Sequence, residues 1–145
     1  MVDVTEKPEV YREATATGSI RLKPETVQLI RERRLEKGDP LQTAKVAGTL
    51  AAKNTSSLIP LCHPLPLTSV EVGLEIVDES VVEVTATVKT KAQTGVEMEA
   101  LVAAAIALLT VWDMTKQHEK NAQGQYPHTL VENLRVVRKV KGTSK

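Results

Sequence analysis

The stretch that most restricts the fold is ALVAAAIALLTVW, residues 100–112, which is apolar on every side when drawn as a helix. A helix that is hydrophobic all round must be buried all round. In a chain of 145 residues, one sheet can cover only one side of it. We therefore expect a homo-oligomer in which this helix lies at or near a subunit contact. The stretch is shorter than the roughly 20 residues that cross a bilayer, so we expect no membrane span.

Period-two alternation predicts the strands. From Val10 to Leu22 one side of the alternation is apolar or small, and Arg12 lies on that inner side. The segments SVEVGLEIV and VVEVTATVKTKA, joined by residues 78–80, predict an antiparallel hairpin. TLVENLRVVRKV predicts a last strand, followed by KGTSK as a frayed tail.

Capping residues predict where the first two helices begin. Pro24 opens the first, which buries Val27 and Ile30 and has Gly38 as a C-cap. Asp39 is a suitable N-cap for the second. That helix has only small side chains along one side, which we call its thin side, and this predicts close packing against another helix or a subunit. The residues of the thin side are Ala44, Ala47, Gly48 and Ala51.

A third, long helix is predicted from near Gly95 toward Lys120, because Thr94 and Glu97 have the T-x-x-E spacing of a capping box. The resulting order is β-α-α-β-β-α-β. Without one helix, this is the split β-α-β pattern of ferredoxin-like folds. We predict a single α+β domain over residues 1–145, with an antiparallel sheet and helices on one face.

Composition excludes several classes of function. The net charge is only +1, and Trp and Tyr total three with no Phe, so nucleic-acid binding is disfavoured. A single Cys cannot form an internal disulfide, which favours a reducing, cytoplasmic setting. The first residues, MVDVTEKPEVYREA, contain no apolar run after a basic start, so we expect no signal peptide.

The first candidate for chemistry is the pair Cys62 and His63, which lies between Pro60, Pro64 and Pro66. A zinc site is disfavoured because a second Cys is missing. A nucleophilic Cys would need a His supplied through the fold, and a buried thiol beside a hydrogen-bonded His is the plain alternative. Prolines fix the backbone in advance, which favours a wall for a ligand.

Charged residues around the long helix are the next candidates. Glu99 has no structural duty in the predicted capping box, whereas Glu97 does. Asp113 and Lys116 are three residues apart, the spacing of an ordinary ion pair, yet Asp113 continues the stripe of Glu99. Glu99 and Asp113 are fourteen residues apart, which is about 21 Å along a helix. They could come closer only between two antiparallel copies of this helix, one from each subunit. Three cations have unusual positions, since Arg12 is on an inner strand face and Lys37 and Lys53 are at helix ends. Lys37 can complement the negative helix terminus, whereas the guanidinium of Arg12 needs a carboxylate or phosphate partner.

Several motifs occur together along the chain, in the order MVDV, YREA, KGD, LIPLCHPLPL, TGVEMEAL and WDMTK. In this combination the chain closely resembles the cyclic pyranopterin monophosphate synthases of molybdenum cofactor biosynthesis. The resemblance extends from residue 1 to about residue 140. The chain departs from the family in NAQGQYPHTLVENLR, where a longer loop leads to the last strand.

The resemblance implies a lyase that converts a cyclic dihydroguanosine triphosphate into cyclic pyranopterin monophosphate and releases diphosphate. It implies a ferredoxin-like homohexamer, a trimer of dimers with the site at a dimer contact. The resemblance implies an enzyme that requires no redox cofactor or metal. Whether magnesium accompanies the triphosphate is left open. The implied catalytic residues are Asp113, Lys37 and Lys116. The implied substrate-binding residues are Leu61, Cys62, His63, Met98 and Glu99, with Arg12 and Glu97 close by. Fixed cations would balance the negative charge of the departing diphosphate, and the candidates are Arg12, Lys37 and Lys53.

Two other classes of protein remain as alternatives. A nucleotide-sensing module would explain the cations and the oligomer but not the pair of Asp113 and Lys116. A purely structural oligomer would leave Arg12 and His63 unexplained. Release of diphosphate from the cyclic triphosphate discriminates the enzyme from both.

Overall fold

A computed structural model describes residues 1–142 of the chain. The elements in chain order are β1 (Val10–Arg21), α1 (Pro24–Arg31), α2 (Pro40–Lys53), α3 (Thr55–Leu58), β2 (Leu67–Ile76), β3 (Val81–Ala92), α4 (Glu97–Glu119) and β4 (Leu130–Gly142). The short helix α3 was not predicted. The other elements follow the predicted order.

The four strands form one antiparallel sheet with the spatial order β2-β3-β1-β4. The two central strands are β1 and β3, as the split β-α-β pattern requires. The predicted hairpin is present, with Val72 of β2 opposite Ala86 of β3. Strand β4 has two bulges of one extra residue each, opposite Thr15–Ala16 and opposite Thr17–Ser19, and Asn133 in the second has φ 60°. The predicted α+β, ferredoxin-like class is confirmed.

The core lies between the inner face of the sheet and the helices α4 and α2. Small side chains on β1 and α4 let the helix approach the sheet closely, so the core is compact despite the lack of Phe. The apolar side chains of this core with no exposed surface include Ala14, Ala16 and Ile20 of β1, Val82, Val84, Ala86 and Val88 of β3, and Ala100, Ala103, Ala104, Ala107, Leu108 and Val111 of α4.

The thin side of α2 packs against α4, as predicted. A Cβ added at Gly48 would lie 2.9 Å from the carbonyl oxygen of Ala103 and 3.3 Å from both methyl groups of Val72. Only a glycine allows the two helix backbones to come this close.

Helix α4 has 23 residues and is long and apolar enough, by length and composition, to cross a membrane. The prediction that this segment is too short to cross a bilayer was therefore wrong, because residues 100–112 are only part of a longer helix. Half of its most apolar window is buried in the fold, which is the packing of a core helix. Its outward side carries Leu101, Val102 and Ile106, which are half-buried, and Leu109, which is 51% exposed. The subunit contact expected at this side stays a prediction.

The end of α1 differs from the prediction. The helix ends at Arg31, not near Gly38, and Arg33 adopts the left-handed conformation with φ 56°. The backbone N–H of Arg33 donates to Ile30 and that of Arg34 donates to Leu29, which is the hydrogen-bond pattern of a Schellman motif. An arginine occupies the position that usually holds glycine. Gly38, with φ 100°, instead lies in the turn before α2.

Two further boundaries were predicted incorrectly. No capping box forms at Thr94, since α4 begins at Glu97 and the side chain of its N-cap residue, Val96, makes no capping bond. The predicted frayed tail is wrong for its first residues, because Lys141 and Gly142 pair with β1. The rest of that predicted tail, residues 143–145, lies outside the described residues.

Candidate functional site

The proline-framed segment and the start of α4 enclose a cavity of about 170 Å³, which we call the loop cavity. It is lined by Leu61, Cys62, His63, Leu65, Thr94, Gly95, Met98 and Glu99. All five substrate-binding positions implied by the resemblance therefore lie together in the fold. Leu61 and Met98 are 70% and 39% exposed, so the apolar walls of the cavity are open to a ligand.

His63 connects the loop cavity to the beginning of the chain. Its Nε2–H donates to the backbone carbonyl of Val2 at 2.6 Å. The carbonyl can only accept, which places the proton of a neutral imidazole on Nε2 and leaves Nδ1 as an acceptor. The first residues of the chain are thus part of the structure around the site.

Two acidic groups of the loop cavity have raised pKa values. Burial raises the pKa of Glu99, and the negative charge of Glu97 adds to this, although the backbone amide of Glu99 acts in the opposite direction. Burial also raises the pKa of the Cys62 thiol, assisted by the charge of Glu99. A thiol with a raised pKa is a weak nucleophile at neutral pH, so the cavity favours binding over covalent catalysis by Cys62.

Glu97 faces away from the loop cavity and takes part in a separate ion pair. Its carboxylate folds back over Gly95, where an added Cβ would lie 2.0 Å from one oxygen. It pairs with the ammonium of Lys139 at 2.5 Å. Burial is the largest single influence on the pKa of Glu97 and raises it. The hydrogen bond from Lys139, a backbone hydrogen bond, and the charges of Lys139 and Arg12 together outweigh burial, so the pKa is lowered. The carboxylate therefore forms an ion pair with Lys139 of β4 and does not cap its own helix.

Arg12 lies on the inner face of β1, as predicted, and is only 8% exposed. One of its terminal nitrogens donates to the backbone carbonyl of Gln93 at 3.1 Å. Within residues 1–142 its Nε is the one buried side-chain nitrogen or oxygen that has no hydrogen-bond partner. A buried donor without a partner is costly, which makes Arg12 a candidate for binding an acceptor on a ligand.

The third group of candidate residues lies toward the other end of α4. Lys116 approaches one oxygen of the Asp113 carboxylate at 3.2 Å, and Lys37 approaches the other at 3.5 Å. Lys37 also donates to the backbone carbonyl of Asp113 at 2.9 Å. The hydrogen bond from Lys116 lowers the pKa of Asp113 most, followed by the charge of Lys37. One carboxylate is thus held between two ammonium groups.

The structure divides the predicted site residues between the two ends of α4. Glu99 is buried near the N-terminus of the helix, and Asp113 is exposed near its C-terminus. The fourteen residues between them span about 21 Å, as expected for a straight helix. Lys53 is exposed in the last turn of α2 and lines none of the cavities described here. Within residues 1–142, no group of three or more His, Cys, Asp or Glu side chains is arranged to hold a metal ion.

Lys139 is a functional candidate that the sequence analysis missed. It lies opposite Ala14 in the pairing of β4 with β1, which places it on the inner face beside Glu97. The alternation within β4 alone could not identify this face, because two bulges interrupt it between Glu132 and Arg138.

The fold and the site define the class of protein. A ferredoxin-like domain with a preformed loop cavity and a carboxylate held between two lysines is suited to proton transfer on a small polar substrate. The family model described as "MoaC family" matches residues 1–142. The chain belongs to this family and is an enzyme of the lyase type in molybdenum cofactor biosynthesis.

Curated relatives agree over nearly the whole chain. A Pyrococcus abyssi protein is 53% identical over 141 residues, covering 97% of this chain and 88% of the relative. A Methanocorpusculum labreanum protein is 54% identical over 143 residues, covering 99% and 90%. A Sulfolobus acidocaldarius protein is 52% identical over 141 residues, covering 97% and 98%. Each of the three is named "Probable cyclic pyranopterin monophosphate synthase".

Proposed function

We propose that this enzyme converts (8S)-3',8-cyclo-7,8-dihydroguanosine 5'-triphosphate into cyclic pyranopterin monophosphate and releases diphosphate. The observation that carries the proposal is the Asp113 carboxylate lying between Lys37 and Lys116. The names of the relatives support the same product.

The reaction needs several proton transfers, because a purine nucleoside is opened by hydrolysis and rebuilt into a pyranopterin. An amine and a carboxylate held close together can donate and accept these protons. In this assignment Asp113 stays ionised, since its pKa is lowered, and it orients the two ammonium groups toward the substrate. Lys37 and Lys116 are then the groups that exchange protons with the substrate.

The loop cavity is proposed to bind the ring system of the substrate. Its side chains combine apolar walls with the imidazole of His63 and the buried carboxyl group of Glu99, which suits a flat heterocycle that carries several donors and acceptors. Its backbone is fixed by prolines, so little conformational entropy is lost when the ligand binds.

We propose further that the complete site is shared between copies in a homohexamer, a trimer of dimers. A rigid helix holds the loop cavity and the group around Asp113 about 21 Å apart in one chain. An antiparallel α4 from a second copy would bring the loop cavity of one copy toward Asp113 of the other. The exposed apolar side chains available for such contacts include Val46, Leu50, Leu58, Leu61, Met98 and Leu109.

The proposal needs no redox cofactor and no metal held by the protein, and magnesium would accompany the triphosphate as part of the substrate. The location proposed for the enzyme is the cytoplasm. A lone cysteine and a substrate derived from GTP support this assignment.

The test is an assay of diphosphate release from the cyclic triphosphate. Wild-type protein should release diphosphate and form the cyclic monophosphate. Asp113→Ala and Lys116→Ala should each abolish product formation while retaining much of the affinity for the triphosphate, the pattern of an interaction made mainly in the transition state. Lys120→Ala is the matched control, since it removes an exposed lysine one turn further along the chain.

The alternatives make different predictions for this assay. If Asp113 and Lys116 form only a surface ion pair, each change should leave stability close to that of wild type and turnover within a few-fold of it. Binding without release would indicate a nucleotide sensor. Elution of a compact monomer at micromolar concentration would contradict the shared site.

A further inference from the structure

Lys37 is one of the two central residues of a tight turn that precedes α2. The backbone N–H of Gly38 donates to the carbonyl of Leu35 at 3.1 Å and closes this turn, which leaves Glu36 and Lys37 at its tip. Leu35 is buried, whereas Glu36 and Lys37 are exposed. Within residues 1–142, no backbone hydrogen bond joins residues 35–38 to α4. The polar contacts between this turn and α4 are therefore made by side chains.

Glu36 connects the turn to α4 at a second point, beyond the contact of Lys37 with Asp113. One oxygen of its carboxylate, Oε2, accepts hydrogen bonds from Gln117 Nε2 at 2.6 Å and from His118 Nε2 at 2.9 Å. A hydrogen bond from its own backbone N–H, and then the bond from His118, lower the pKa of Glu36. The group is therefore an ionised carboxylate at neutral pH, which accepts from two donors of the last turn of α4.

The two contacts lie on one side of α4, one helical turn apart. Lys37 contacts Asp113, and Glu36 contacts Gln117, four residues further on, which is about 6 Å along the helix axis. A single exposed ion pair leaves the long side chain of a lysine mobile, whereas a second contact one turn away also fixes the orientation of the turn. Charge fixes the register as well, since a shift by one helical turn would place the Glu36 carboxylate beside that of Asp113.

We propose that Glu36 is a positioning residue for the reaction. By accepting from Gln117 and His118 it holds the tight turn so that the ammonium group of Lys37 stays beside Asp113. The inference rests on the proposed function, in which Lys37 exchanges protons with the substrate. The contact contributes little to the stability of the fold, because the side chain of Glu36 is 64% exposed.

The pKa of Asp113 reports the position of Lys37 without any turnover. The hydrogen bond from Lys116 lowers this pKa most, and the charge of Lys37 follows. If Lys37 moves away from Asp113, the pKa must rise, because a nearby positive charge is lost. Removal of the negative charge of Glu36 has the opposite effect on the same carboxyl group. A rise in the pKa after substitution of Glu36 therefore separates loss of position from loss of charge.

NMR of protein labelled with carbon-13 in its aspartate carboxyl groups measures this pKa, and the Asp113 signal is the one missing in Asp113→Asn. Glu36→Ala should raise the pKa of Asp113 toward its value in Lys37→Ala. Glu36→Gln is the matched control, because it loses the same charge but keeps an oxygen that accepts from Gln117 and His118. It should cause no rise. Both variants of Glu36 should melt close to the temperature of wild type.

The turnover assay tests whether the position of Lys37 matters for the reaction. Glu36→Ala should lower kcat about ten-fold and change KM less, because a misplaced group slows proton transfer more than it weakens binding. Glu36→Gln should retain most of the wild-type kcat. An unchanged or lower pKa of Asp113 in Glu36→Ala would overturn the proposal. Equal losses of kcat in Glu36→Ala and Glu36→Gln would overturn it too, since charge alone would then explain the effect.

The two measurements separate failure of the positioning role from failure of the proposed function. A raised pKa of Asp113 in Glu36→Ala, in a protein that releases no diphosphate, would support the role of Glu36 in placing Lys37 and refute the proposed reaction. Normal turnover by Glu36→Ala, together with an unchanged pKa of Asp113, would refute the positioning role alone.

Discussion

Gly48 is predicted to be the position where a single methyl group most directly perturbs the packing of α2 on α4. In Gly48→Ala the new Cβ would lie 2.9 Å from the Ala103 carbonyl oxygen, whereas ordinary contacts begin at 3.4 Å. The helices must therefore separate by about 0.5 Å, or Ala103 must move with its helix. Val72 on the sheet, 3.3 Å away, limits movement in another direction.

Two opposing contributions decide the size of the effect. Alanine is a better helix former than glycine by about 1 kcal/mol. Overpacking of a well-packed core costs about 1–3 kcal/mol. We expect a net loss of about 1 kcal/mol in the free energy of unfolding, and a melting temperature lower by about 3 °C at fixed protein concentration.

The control measures helix propensity without the close contact. Lys45 is an exposed position of the same helix, and comparison of Lys45→Ala with Lys45→Gly should favour alanine by about 1 kcal/mol. Urea unfolding of all variants gives the free energies, with unchanged m-values confirming that the same surface unfolds. The reasoning would be refuted if alanine at residue 48 stabilised the protein as much as alanine does at residue 45.

Three further predictions concern individual side chains. Glu119 is fully buried and accepts hydrogen bonds from Lys23 N, Thr26 Oγ1 and Thr129 Oγ1. Glu119→Gln should lower the free energy of unfolding in urea by about 1–3 kcal/mol, because the new amide group would face hydrogen-bond donors with a donor of its own. Burial raises the pKa of Glu99 in the folded protein. Protonated Glu99 therefore adds to the free energy of unfolding below the pKa of the unfolded chain, about 4.3, and this contribution is lost as pH rises through the folded pKa. Glu99→Gln should therefore be more stable than wild type at neutral pH, an advantage that disappears toward pH 4 in unfolding measured across pH. His63→Ala should raise KM while circular dichroism stays unchanged, because the prolines and not the imidazole shape the loop; unchanged kinetics would remove His63 from the site.

The parts of the fold that were predicted correctly are those that local sequence decides. Strand β1 was recognised because its alternation matches the two faces of the sheet. The start of α2 was recognised because the side chain of Asp39 accepts hydrogen bonds from the amides of Leu41 and Gln42. These features depend on residues within a few positions of one another.

The parts that were predicted incorrectly depend on distant residues or on unusual backbone choices. The capping box at Thr94 was displaced because Lys139, far along the chain, binds the carboxylate of Glu97. The end of α1 was missed because Arg33 adopts a conformation that sequence statistics assign to glycine. The pairing of Lys37 with Asp113 was not visible either, since only the tertiary fold brings the turn before α2 to the end of α4.

Helix α4 is both the centre of the hydrophobic core and the element that carries the candidate carboxyl groups Glu99 and Asp113. Its alanines pack on the sheet and on α2, so the helix is rigid and its two ends keep a fixed separation. Glu99, one turn from the buried Ala103, has its pKa raised because the core excludes water there. Asp113, where the helix leaves the core, has its pKa lowered because two lysines reach it. The same helix therefore holds two carboxyl groups whose pKa values are shifted in opposite directions about 21 Å apart, so both can act on one substrate only if a second copy of the chain brings the opposite ends of two α4 helices together.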